Sequence, residues 1–120
     1  MKTILHEFKG KQIAEIQSEG IIIRKWRDII DIISKMLSGK VDALILHEKN
    51  LAPEIFQLKT GIAGEILQKL ANSGIKVAFV GAFDSSKSKS LRAFIVKSNL
   101  GKQVNFAEDL ETAINRFGSD

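Results

Sequence analysis

The amino-acid sequence predicts a single α/β domain spanning residues 1–120, built on a mostly parallel five-stranded sheet. Three observations predict it. Apolar runs too short for helices alternate with segments of helical periodicity. Glycines or capping residues punctuate the junctions between them. The first two runs alternate with period two around Lys9-Gly10-Lys11, the pattern of a hairpin. The order is β-β-α-β-α-β-α-β-α. Its repeated strand–helix–strand units cross right-handed and lay their strands parallel, while the hairpin adds an antiparallel edge.

Each element has its own signal. In "TILHEFKGKQIAEIQ", Ile4, His6 and Phe8 alternate with Leu5 and Glu7, and Ile13, Glu15 and Gln17 alternate with Ala14 and Ile16. Ser18-Glu19-Gly20 ends the hairpin. Trp26, Ile29, Ile30, Ile33 and Leu37 then form a helical stripe with most of the charged residues elsewhere, stopped by Ser38-Gly39. Val41 to His47 is a short buried strand. "FQLKTGIAGEILQKL" carries the next stripe in Ile62, Ala63, Ile66, Leu67 and Leu70, and its helix closes at Asn72-Ser73-Gly74. "IKVAFVGAF" is β-branched and aromatic, a central strand. Asp84-Ser85-Ser86 offers N-cap chemistry to a third helix with Leu91, Phe94 and Ile95 inside, closed by Asn99-Leu100-Gly101. "QVNFA" is the fifth strand. Asp109 caps the last helix, whose stripe is Leu110, Ala113, Ile114 and Phe117.

Composition narrows the classes of function. Without cysteine there are no disulfides, thiolate metal sites or cysteine nucleophiles, which fits a reducing compartment. No apolar run approaches the ~20 residues of a membrane span, and "MKTILHEFKGKQ" meets charge before a signal core forms. A cytoplasmic protein is the expectation. The net charge of +4 is dispersed except around Lys87, Lys89 and Arg92, with Lys97 and Lys102 beyond. No basic and aromatic interleaving accompanies it, so nucleic acid is not expected as a partner.

Candidate sites follow from topology. Ligands of parallel sheets gather beyond the carboxyl ends of the strands. There the order of elements brings Ser18-Glu19-Gly20, His47-Glu48-Lys49-Asn50 and Asp84-Ser85-Ser86, with Lys59 and Thr60 at the start of the second helix. His47, Glu48, Asp84, Ser85, Ser86 and Lys87 are the candidates for a small ligand or anion. His47 and Glu48 are adjacent on a strand end and point to opposite sides, His6 has no readable partner, and no spaced ligand set exists. No metal and no cofactor are expected. The serines lack GxSxG and a neighbouring base.

Gly61 and Gly64 pose a separate question, since each glycine inside a helix costs about 1 kcal/mol relative to alanine. Without Cβ atoms, they suit either close contact with the sheet or an exposed docking ridge that begins at Thr60 and runs to Glu65.

"LKTGIAGEILQKL", "KVAFVG" and "SKSLRAFIVKSNLGKQVNF" resemble an uncharacterised bacterial family, domain-of-unknown-function family 4180, over nearly the whole chain. That resemblance implies no activity. The element order is more distantly similar to the STAS domain of anti-sigma factor antagonists. There the helix after the third strand opens on Asp-Ser-Ser-Gly or Asp-Ser-Thr-Gly, and the residue before the glycine is phosphorylated to control docking. The matching stretch is Leu58-Lys59-Thr60-Gly61, with Leu58 in the aspartate's place. The likeness implies that Thr60 is a phosphoacceptor, and that Lys59, Gly61, Gly64 and Glu65 belong to a docking surface. The leading expectation is therefore a non-enzymatic protein-binding or regulatory module. The alternative is a small-ligand, anion or enzymatic site at the carboxyl edge of the sheet. Oligomeric state is not legible.

Overall fold

The computed structural model describes residues 1–36, 41–83, 88–101 and 103–118. Strands β1 (Lys2–Phe8) and β2 (Lys11–Gln17) form the hairpin. Helix α1 (Trp26–Met36), β3 (Ala43–His47), α2 (Ile62–Ser73), β4 (Lys76–Val80), α3 (Lys89–Leu100), β5 (Val104–Ala107) and α4 (Leu110–Phe117) follow. The sheet order is β1-β2-β3-β4-β5, with β1 and β2 antiparallel and every later pair parallel. That is the architecture expected from the sequence.

An order that never reverses has one consequence for packing. Right-handed crossovers that always step the same way bring α1, α2 and α3 to one face of the sheet. Alternation along each strand then sorts the residues. Ala14, Ile16, Leu44, Leu46, Val77, Phe79, Val104 and Phe106 share one core with those helices. Ile13, Ala43, Ile45, Ala78, Val80 and Ala107 face the other way, against Ala113 and Phe117 of α4. Helix α4 packs on β5 and β4 and reaches β1, while His6 and His47 on this second face keep 25% and 22% of their side chains exposed. The first core carries an aromatic chain, in which Phe83 meets Phe106 edge-on at 4.9 Å and Phe79 stacks on Phe106 at 5.2 Å.

Local details depart from expectation in three places. The stripe of α1 is rotated: Ile32 is buried, while Ile30 is 41% exposed. The second helix starts later than its periodicity implies. Pro53–Phe56 and Leu58–Thr60 are separate 3-10 turns, whose i, i+3 spacing imitates an α-helical stripe, and α2 begins at Ile62. The N-cap of α3 is Ser88, whose side chain accepts from the Leu91 N–H at 3.1 Å. Leu37, Ser38, Gly39, Asp84, Ser85, Ser86, Lys87 and Lys102 lie outside the described residues. At the last helix the expectation holds, since Asp109 accepts from the Thr112 N–H at 2.7 Å.

The two glycines have different explanations. Gly61 is the N-cap of α2 and adopts φ +76°, a conformation that costs an L-residue steric strain. Gly64 is exposed, and a Cβ built on it meets nothing within 4 Å. Close contact with the sheet is therefore not what either residue provides. Gly64→Ala is expected to raise stability by about 0.5–1 kcal/mol and Gly61→Ala to lower it by about 1 kcal/mol. Thermal unfolding of the two variants reads these opposite signs directly.

Candidate functional site

Two regions collect polar side chains. The first surrounds the start of α2. Thr60 is exposed, yet its hydroxyl donates to the carbonyls of Gln57 at 2.9 Å and Glu54 at 3.2 Å, and accepts from the Ile62 N–H at 3.2 Å. It stitches the 3-10 turn to the helix. One turn on, Glu65 pairs with Lys69 at 3.3 Å, an exposed i, i+4 bridge worth a few tenths of a kcal/mol. Both side chains line an open groove of about 380 Å³, shared with Lys25, Trp26, Arg27 and Ile30 of α1 and its approach. Sequence reasoning singled out Glu65 but missed the groove, because α1 and α2 are brought together only by the crossover.

The second region lies at the carboxyl ends of β2 and β3. Asn50 donates from Nδ2 to the carbonyls of Ser18 at 2.7 Å and Gly20 at 2.8 Å, so two of the three expected segments do meet. His47 and Glu48 diverge as expected of neighbours on a strand end. Glu48 accepts from the Ala82 N–H at 3.1 Å, tying the end of β3 to the end of β4. Gly81 makes room for it: a Cβ there would sit 2.4 Å from the Glu48 Cβ. His47 turns the other way, to Glu15, with its Nε2 2.7 Å from Oε2.

His6, for which the sequence offers no partner in a zinc site, reaches the same carboxylate, with Nε2 2.9 Å from Oε1. Gln17 donates to Oε2 at 3.0 Å. Strand register explains the convergence. Ile4 pairs with Glu15 and Glu15 with Ile45, so His6, Glu15, Gln17 and His47 all project on the face that α4 leaves partly open. Glu15 is 2% exposed, roofed by its own partners. Burial pushes its carboxyl upward, but the hydrogen bonds from His6, Gln17 and His47 and the attraction of His47 outweigh that. The net position is below the usual carboxylate range.

Thr60 belongs to the first region, with its hydroxyl bonds running to Glu54, Gln57 and Ile62, and Asp84, Ser85, Ser86 and Lys87 lie outside the described residues. A cavity of about 200 Å³ does open at the carboxyl ends of β4 and β5, but Phe83, Asn99, Thr112 and Arg116 are among its walls, and His47, Glu48 and Thr60 are not. Among the described residues no group of three or more His, Asp or Glu is arranged to hold a metal ion. Likewise, no helix there is long and apolar enough to cross a membrane. No curated protein and no solved structure matches the chain. Residues 8–117 match the family described as "Domain of unknown function (DUF4180)", and the chain belongs to that family.

Proposed function

We propose that the domain is a cytoplasmic regulatory module, similar to STAS domains, whose α1/α2 groove binds, without catalysis, an acidic, partly apolar segment of a protein partner. The groove itself carries the reading. Trp26 and Ile30 supply apolar surface, Lys25 and Arg27 add positive charge beside the Glu65–Lys69 pair, and Ile30 stays 41% exposed. Aromatic and arginine side chains are the usual anchors of such contacts. The fold supports it as well. A strand order that never reverses has no topological switch point, the place where open parallel sheets most often hold their ligands.

Thr60, in the phosphoacceptor place implied by the STAS likeness, lies just over one turn before Glu65. A phosphate there would add about −1.5 to −2 charge, compete with an acidic partner for the basic rim and break the hydroxyl's bonds to Gln57 and Glu54.

Trp26 is the chain's one tryptophan, so its fluorescence reports on the groove without a label. Titrating in a partner recovered from the native host is expected to shift that emission. Lys25→Glu with Arg27→Glu should weaken binding at least about tenfold, or 1.4 kcal/mol. Unchanged affinity in the double reversal would remove the proposal. Intact mass of protein from the native host, with Thr60→Ala as control, tests the phosphate.

A second reading, a small-molecule site, is favoured by the cavity between α3 and α4. A ligand held there would raise the melting temperature in a metabolite screen, and Thr112→Phe, which fills the cavity, would abolish the shift.

A further inference from the structure

The chain has two histidines, and both end on one buried carboxylate. The Glu15 side chain is 3% exposed, whereas those of His6 and His47 keep 25% and 22%. A carboxylate only accepts hydrogen bonds, so each Nε2 carries the hydrogen, and a ring in its neutral form then has its lone pair at Nδ1. Gln17 occupies Oε2 as a third donor. The arrangement is that of an oriented base: an anchored carboxylate behind, and a ring of fixed tautomer in front that reaches solvent.

We propose that His6 and His47 are a pair of nucleophilic imidazoles that accept an acyl group from a neutral activated ester on the open part of the sheet face. The Nδ1 lone pair forms a bond to the ester carbonyl carbon. The bond from that carbon to the leaving oxygen breaks, and the oxygen departs with the electron pair. The positive charge of the acylimidazolium lies against Glu15 through Nε2–H. Water then attacks the carbonyl and gives up one proton to solvent, the ring leaves as neutral imidazole, and the carboxylic acid that is released loses its own proton to solvent.

Glu15 and Gln17 are positioning residues here, since neither touches the acyl group. Charge selects the donor. With neutral imidazoles the cluster is −1, and Lys2, paired opposite Gln17 on the same face, brings the local sum to zero. A neutral ester fits that balance better than a phosphoryl dianion. The site lies on the opposite face of the sheet from the α1/α2 groove and stands independently of the docking proposal.

The test uses the full chain and p-nitrophenyl acetate, following release of p-nitrophenolate against N-acetylhistidine at equal imidazole concentration and pH. The expected rate per imidazole is at least about tenfold above the reference. His6→Gln and His47→Gln should each lower it, and the double variant should fall to the chain's amine background. A wild-type rate at or below the reference overturns the proposal, as does an undiminished rate in the double variant. A second measurement needs no activity and no variant. In protein labelled with 15N-histidine, long-range 1H–15N spectra are expected to show both rings with hydrogen on Nε2, and hydrogen on Nδ1 in both would overturn it. Glu15→Gln should lower the rate to the reference and redistribute the tautomers, while circular dichroism confirms the fold. Retention of rate and tautomers in that folded variant would also overturn it.

Discussion

Asn50→Asp is expected to destabilise the domain by about 3–5 kcal/mol, and Asn50→Ala by about 2–3 kcal/mol. Asn50 is 1% exposed and connects three stretches of chain. Its side-chain amide donates to the Ser18 and Gly20 carbonyls, and its backbone carbonyl accepts from the N–H groups of Ile22 at 2.9 Å and Ile23 at 3.0 Å. The segment from β2 to α1 is thereby fixed against the end of β3. Aspartate turns the donor edge into an acceptor facing two carbonyls and buries a charge beside them. Alanine only leaves the carbonyls unpaired. It also removes Oδ1, which has no hydrogen-bond partner among the described residues, so part of its cost is returned. Urea unfolding of the two variants separates the effects. Equal midpoints for the two would mean that the amide's donors are not what holds this segment.

How much of this was legible in the sequence depends on the separation of the residues involved. The hairpin was readable because alternation and Lys9-Gly10 are local. Lys9 and Gly10 adopt φ of 52° and 81°, which closes a two-residue turn and pairs Phe8 with Lys11. The later strands were readable from short β-rich runs between capped helices. The start of α2 was not, because residues 53–60 wind as 3-10 turns with a spacing close to the helical one. Ile30 and Ile32 exchange roles in α1 because periodicity gives the width of a stripe but not which partner covers its margins.

The Glu15 cluster was the largest omission. Its histidine partners lie nine and 32 residues away, on strands to either side, so its assembly depends on two registers at once. A signal did exist. Glu15 holds an inward-alternating position between Ile13 and Gln17, and a charged residue there needs partners from the adjacent strands. The two histidines sat on the matching alternation of those strands.

Glu15→Gln is expected to cost about 2–4 kcal/mol at pH 7 and progressively less in acid. At neutral pH the carboxylate accepts charge-assisted bonds from both imidazoles and from Gln17. Glutamine offers one oxygen and one NH2, so one imidazole faces a donor and must change tautomer or lose its bond. The pH dependence follows from the sign of the shift. The folded carboxyl lies below its usual range, so on acidification the unfolded chain takes up the proton first. The contribution is complete above the unfolded value, near pH 4.3, and is lost as pH falls through the lower folded value. Other carboxylates titrate equally in wild type and variant, so the difference between their unfolding free energies reports on Glu15 together with its two histidine partners. Urea midpoints at several pH values between 7 and 3 should therefore converge in acid. Parallel curves over that range would mean that the carboxylate's charge contributes nothing to the cluster. The imidazoles would then owe their positions to packing alone.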